Sequence, residues 1–250
     1  MDLKIKGKTA LVTGASTGIG RGIAKALAAE GVRLAVAARR GTLLEELSAE
    51  IVAAGGEKPV IIVQDVLAED APEKTSAQAL AGLGSVDILI NNAGGSRQFG
   101  KDATEAQWTE AMTLNFTRPR QLTHKLLDQM IARKWGRIVC ITGKSEPEGV
   151  NGAFSAKAGI HAWAKGLSRE VGKYGITINS IPPGRIMSEQ ILRNYTPEYR
   201  KWQSEHEIPV GRYGEPEELA SLVCYLASPW ASYIPGTVIP VDGGLRRYQF

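Results

Sequence analysis

Thr9-Ala10-Leu11-Val12-Thr13-Gly14-Ala15-Ser16-Thr17-Gly18-Ile19-Gly20 is the stretch on which the reading of this chain turns. Residues 9–12 are a short apolar run ended by Thr-Gly, the pattern of a buried strand. Ile19, Ile23 and Leu27 follow at helical spacing, and Gly31 supplies a stop of the C′ type. Between strand and helix stand three glycines spaced Gly-x-x-x-Gly-x-Gly. They allow a tight turn and close approach of a pyrophosphate to backbone N–H groups, while the helix N-terminus adds positive potential. A turn that merely packs strand on helix is the plainer alternative.

The same alternation continues outward. Further strands are expected over 34–38, 60–63, 86–90, 137–142 and 176–178, with 238–241 closing the pattern. Thr42-Leu43-Leu44-Glu45 reads as a capping box opening a helix that turns Leu43, Leu44, Leu47 and Ile51 inward. Thr104-Glu105-Ala106-Gln107 reads as a second box, whose helix runs toward Asn115. Pro119 marks a kink or break before a helix over 122–131. Residues 153–171 are helical, and Pro216 is a first-turn proline before a helix over 217–227. Continuous apolar strands between helices predict an α/β fold, a doubly wound parallel sheet with helices on both faces. No linker or repeat interrupts it, so one domain is expected over 1–250. Ligands of such sheets bind at the carboxyl ends of the strands.

Composition narrows the function. The chain has 250 residues, 30 Lys and Arg against 26 Asp and Glu, and 43% hydrophobic residues. A net charge of +4 argues against a nucleic-acid partner, and no apolar run reaches bilayer length, so no membrane partner is expected. The amino terminus alternates charge without an apolar signal core. Cys140 and Cys224 lie in apolar surroundings and are expected as buried reduced thiols, which fits a cytoplasmic protein. His124, His161 and His206 show no metal-ligand spacing, so no metal is expected.

The second strand should read the cofactor's ribose. A 2′-hydroxyl wants a carboxylate at its end, a 2′-phosphate wants arginine. The sequence gives Ala38-Arg39-Arg40 and no acid. The charge argument favours NADP(H) over NAD(H), with two solvated surface arginines as the alternative.

Residues 13–20, Asn91-Asn92-Ala93-Gly94, Asn115, Lys157, Pro183-Gly184 and Val241-Asp242-Gly243-Gly244, in this order, resemble the short-chain dehydrogenase/reductase family. Residues 211–218, Gly-Arg-Tyr-Gly-Glu-Pro-Glu-Glu, resemble its 3-oxoacyl carrier-protein reductase branch. The resemblance spans essentially the whole chain. It implies that Gly14, Ser16, Thr17, Gly18, Ile19 and Gly20 hold the pyrophosphate region. Asp65 would accept from the adenine amino group with Val66 beside it, and Asn92, Ala93 and Gly94 would line the adenosine ribose. Pro183, Gly184, Ile186 and Ser188 would flank the nicotinamide carboxamide. Lys157 would hold the nicotinamide ribose, and Asn115 would bend its helix and hold a water leading to that lysine. A homotetramer or dimer through the segments 104–133 and 153–173 is implied as well.

The chain departs from the family where protons move. The family's tyrosine, four residues before the lysine, is Ala153, followed by Phe154; its serine aligns with Gly143. Hydride delivery to a carbonyl develops charge on oxygen, and a positioned acid is worth about 10²–10⁴-fold in rate. Replacement candidates are Thr142, Lys144, Ser145, Glu146, Glu148 and Asn151, with Lys144 and Ser145 favoured for substrate-oxygen contact. Lys157 could also donate through a water held by Asn115. Ser155 should face elsewhere on the helix. His161 shares the face of Lys157 but reads more readily as a packed histidine.

Residues 188–209, with Tyr195, Tyr199, Trp202 and His206, occupy the family's substrate lid. Arg97, Lys101, Arg118, Arg120, Lys125, Arg133 and Lys134 read best as a solvated face. The leading function is an NADP(H)-dependent oxidoreductase for a carbonyl/alcohol substrate with a non-standard proton donor. Its rivals are a nucleotide-binding sensor or assembly subunit, and elimination or isomerisation in the same pocket.

Overall fold

The computed structural model describes residues 1–96, 99–143 and 149–247. Six parallel strands form one sheet: β1 (Thr9–Thr13), β2 (Arg33–Ala38), β3 (Val60–Val63), β4 (Ile88–Asn91), β5 (Gly136–Ile141) and β6 (Ile176–Ile181). Their spatial order is β3-β2-β1-β4-β5-β6, so the winding reverses between β1 and β4. A doubly wound sheet opens its ligand crevice at that reversal. Here Thr13, Ala38 and Asn91 end the strands around it.

Helices cover both faces: α1 (Gly18–Ala29), α2 (Gly41–Ala53), α3 (Ala71–Leu83), α4 (Glu105–Met112), α5 (Arg118–Arg133), α6 (Gly152–Val171), α7 (Glu189–Asn194), α8 (Pro197–His206) and α9 (Pro216–Leu226). Successive β1 side chains serve opposite layers. Ala10 and Val12 pack with Ile23, Leu27, Leu219 and Val223 on one face, while Leu11 packs with Leu89, Leu126 and Ile160 on the other. Each fully buried Leu or Ile contributes about 1.5–3 kcal/mol.

Five details differ from the sequence reading. The box at Thr42 does not form: α2 starts at Gly41 with Arg40 at its N-cap, so Thr42 is already inside the first turn. Leu43 is only half-buried. The box at Thr104 does form, its hydroxyl accepting from Gln107 N. The strand expected from 86 begins at Ile88, because Asp87 is engaged sideways with Thr9. Pro119 breaks nothing, since it falls in the first turn of α5, where a missing N–H is tolerated. Residues 238–241 form only isolated bridges, Ser180 to Val238 and Pro183 to Val241. Pro182, Pro183 and Pro240 supply no N–H there to complete a ladder.

Both cysteines are buried free thiols, and burial pushes each up to about 12. No described helix is long and apolar enough to cross a membrane.

Candidate active site

The glycine turn is built by close approach. Gly14 has φ +67°, and a Cβ there would stand 2.8 Å from Asn92 Nδ2. At Gly20 a Cβ would collide with the Gly14 carbonyl and Asn92. Asn92 fixes the turn by donating Nδ2 to Thr13 O at 2.9 Å and Gly14 O at 3.1 Å. Its side chain therefore holds the loop, whereas Ala93 and Gly94 line the cavity beside it. No side chain caps the first amides of α1, and no acid lies in its first turn. That uncapped end fits a pyrophosphate.

A cavity of about 370 Å³ lies against this turn. Gly14, Ser16, Thr17, Arg39, Arg40, Asp65, Val66, Ala93 and Gly94 line it, nine of the residues singled out from the sequence. Gly18, Ile19 and Gly20 sit behind the lining as the start of α1. Asp65 Oδ1 accepts from Leu67 N at 3.0 Å, which fixes its turn.

Two arginines absent from the expected site also line the cavity, Arg118 and Arg193. Arg118 donates to Leu67 O and Gln121 Oε1, and its buried Nε has no partner among the described residues. Only the turn into α5 swings Arg118 inward, so no periodicity marks it in the sequence. The other basic residues of that stretch are partly neutralised: Lys101 pairs with Asp102, Lys125 with Glu73 and Arg133 with Asp87. Arg97 lies outside the described residues.

Gly94 connects the cavity to the chemical end. A Cβ at Gly94 would stand 2.9 Å from Asn115 Oδ1 and 3.9 Å from Lys157 Cε. Asn115 lies in a π turn, Thr113–Thr117, between α4 and α5. Its Oδ1 accepts from Gly95 N at 3.1 Å, and its Nδ2 donates to Gly95 O and Ala111 O. Asn115 thus ties the loop after β4 to the helix.

Lys157 Nζ donates to Thr142 O at 2.9 Å. Among the described residues no carboxylate faces this ammonium, and burial pushes it down to about 8. The lysine stem leans on Gly143: a Cβ there would stand 3.2 Å from Lys157 Cδ. Ala153 is buried in the first turn of α6. Thr142 Oγ1 lies 2.8 Å from His161 Nε2. Burial first, then Arg246 and Lys157, lower the His161 pKa, so this imidazole is neutral at pH 7.

Lys144, Ser145, Glu146 and Glu148 lie outside the described residues. Asn151 is a cap: its Oδ1 accepts from Ala153 N at 2.9 Å and its Nδ2 donates to Ser96 Oγ. Ser155 is exposed, on another face from Lys157.

Pro183 bridges to Val241, and a Cβ at Gly184 would stand 2.5 Å from Asp242 Cα. Ile186 is buried and bridges to Gly214. Ser188 caps α7 by accepting from Ile191 N, and its Cβ would stand 2.9 Å from a Cβ on Gly18. The 188–209 segment therefore starts against the glycine turn. Farther along, Tyr195, Tyr199, Trp202 and His206 stack ring on ring at 5.5, 5.8 and 5.2 Å. Arg185 donates to Tyr195 OH at 2.9 Å, a contact the sequence reading missed.

A reversing parallel sheet, an uncapped helix start and a cationic cleft define a dinucleotide-binding oxidoreductase. The chain belongs to the short-chain dehydrogenase/reductase family. The family model described as "Enoyl-(Acyl carrier protein) reductase" matches residues 14–246. Among relatives, the 3-oxoacyl-[acyl-carrier-protein] reductase FabG of Aquifex aeolicus is 33% identical, over 98% of this chain and 100% of its own. Nodulation protein G of Rhizobium sp. is 35% identical, over 97% and 98%. Among solved structures, L-sorbose reductase from Gluconobacter frateurii complexed with NADPH and L-sorbose superposes with TM-score 0.93 at 27% identity, covering 99% of this chain and 100% of that one. A 7 alpha-hydroxysteroid dehydrogenase complexed with NADH and 7-oxo glycochenodeoxycholic acid gives 0.92 at 30%, covering 97% and 96%.

Proposed function

We propose that the protein is an NADP(H)-dependent reductase or dehydrogenase of a small carbonyl/alcohol pair, in which Lys157 replaces the family's phenol as proton donor. The observation that carries this reading is the Lys157 ammonium, faced by no carboxylate among the described residues, standing against Gly143 and joined through Gly94 to a cavity bearing Arg39, Arg40, Arg118 and Arg193. The uncapped α1 end would bind the pyrophosphate, Asp65 and Val66 the adenine, and Arg39 and Arg40 the 2′-phosphate. Pro183, Gly184, Ile186 and Ser188 would border the nicotinamide, and Lys157 would touch its ribose.

When bound, the nicotinamide supplies a hydride to the carbonyl carbon. Lys157 gives an Nζ proton to the carbonyl oxygen and is left as a neutral amine, which takes a proton back from solvent. An acid near pKa 8 is well matched to this task at neutral pH. Gly95 and Ala111 hold Asn115 in place, and Asn115 fixes the loop carrying Gly94. Lys144 and Ser145 remain the proposed contacts to the substrate oxygen. We extend the reading to a cytoplasmic homotetramer or dimer through residues 104–133 and 153–173, with residues 188–209 as the substrate cover.

A fluorescence titration with NADPH, followed by a carbonyl panel, tests the proposal. Tight NADPH binding with turnover on some member of the panel is the expected result. The absence of hydroxyls at Gly143 and Ala153 favours one second reading, a nucleotide sensor, which gives binding with no turnover at all.

A further inference from the structure

The two arginines at the end of β2 are not equivalent. Among the described residues Arg39 makes no hydrogen bond or ion pair. Arg40 is fully engaged: Nη1 lies 3.2 Å from Glu189 Oε1, Nη2 lies 2.7 Å from Glu189 Oε2, and Nη2 also reaches Thr17 Oγ1 at 3.1 Å. This fork joins three helix starts: Thr17 is the residue just before α1, Arg40 the residue just before α2, and Glu189 the first residue of α7. Arg40 and Glu189 both line the cavity, so the clasp closes its rim. The Arg40 hydrogen bond, above all, holds the Glu189 carboxyl below its ordinary range, so it is ionised at neutral pH.

We propose that Glu189 is a cofactor-selecting latch: it holds Arg40 across the cavity rim and yields that guanidinium to a 2′-phosphate, so that a phosphorylated dinucleotide unfastens α7 while an unphosphorylated one leaves it fastened. The proposal rests on the NADP(H) reading above. Its chemistry is competition for one fork. A phosphomonoester carries about −1.5 to −2 charge and three acceptor oxygens, against one charge and two oxygens on a carboxylate. Arg39 receives the phosphate without a rival, and Arg40 joins only by leaving Glu189. Arg193 stands four residues after Glu189 on α7, lines the same cavity and gives the released carboxylate a partner on its own helix. Glu189 thereby taxes NADPH and not NADH, which makes it a specificity residue contributed by the lid rather than by the ribose-binding strand.

The clasp is half-exposed on both sides, so the effect is modest, about two- to five-fold. Glu189→Gln keeps the shape and removes the charge. Fluorescence titrations should show the NADPH-to-NADH affinity ratio rising about two- to five-fold in the variant. In an Arg40→Gln background the same substitution should change nothing. Hydrogen exchange on the wild-type protein supplies a readout free of mutation: 2′,5′-ADP should speed exchange at amides 188–194, and 5′-AMP should not. An unchanged ratio in Glu189→Gln, the same gain in the Arg40→Gln background, or equal exchange with both nucleotides overturns the latch. A wild-type protein that prefers NADH overturns the cofactor reading itself, is recognised before any variant is made, and takes the latch with it.

Discussion

The adenosine end and the chemical end of this cleft are built from different materials. At the adenosine end the working groups are main-chain amides, glycine spaces and several arginines sharing one cavity. At the chemical end they are side chains: Lys157 against Gly143, Asn115 beside Gly94, and the Thr142–His161 pair. Amides are supplied by any residue that keeps the turn, so the binding end survives change at many positions. Proton transfer depends on one atom at one place, so the side chains standing at 143, 153 and 157 bear on it directly.

Lys157→Met separates the two ends most sharply. Turnover should fall about 10²–10⁴-fold, the value of a positioned acid, as read by steady-state kinetics on a carbonyl substrate. The same variant should be more stable at pH 7. Burial holds the folded-state pKa near 8 against 10.5 for the free side chain. The folded protein therefore binds fewer protons, and its stability rises with pH between those two values. Below about 8 the buried charge is a liability of about 1–3 kcal/mol, allowing for partial solvent access. The lost bond to Thr142 O offsets about 0.5–1.5 kcal/mol of the gain. Thermal melts at pH 7 and pH 10.5 check the sign, because the advantage should vanish at the higher pH.

Arg39→Asp tests the adenosine end. Removing a charge-assisted contact worth about 1.5–3 kcal/mol should shift the NADPH-to-NADH affinity ratio about 10- to 150-fold toward NADH. An unaltered ratio would remove Arg39 from the phosphate site. The pH profile returns to Lys157: kcat/KM for carbonyl reduction should stay level below pH 8 and fall about tenfold per unit above it. A limb on the acid side of the ordinary histidine range would point to His161 instead.

The smallest effect is expected from Asn151→Ala. As a helix cap, Asn151 contributes about 0.5–2 kcal/mol, so the melting temperature should drop a few degrees while kcat holds. A large loss of kcat would return Asn151 to the substrate-contact role that its place in sequence suggests.

Much of this molecule was legible from local pattern. The glycine turn, Arg39 and Asp65 each stand at a strand end that periodicity locates, whereas Lys157 is marked by the family resemblance. That Gly143 and Ala153 carry no hydroxyl could be read directly, since absence of an atom needs no geometry. Arg118 and Glu189 could not be read. Each is an unremarkable charge at the start of a helical segment, and each lines the cavity only through where the fold sets α5 and α7. Asn92 shows the same limit from the other side: its position was evident, but whether its amide faced a ligand or the Gly14 carbonyl depended on a contact between two loops 78 residues apart.

Sequence by itself settled the layered sheet, the glycine turn and the identities of Gly143 and Ala153, because strand periodicity, glycine spacing and side-chain identity are local properties. Tertiary structure alone decided that Arg39 is open while Arg40 is clasped by Glu189, and that Lys157 has no carboxylate beside it among the described residues. Those are questions of which charges meet and how much water is left around them, and only the packed chain fixes both.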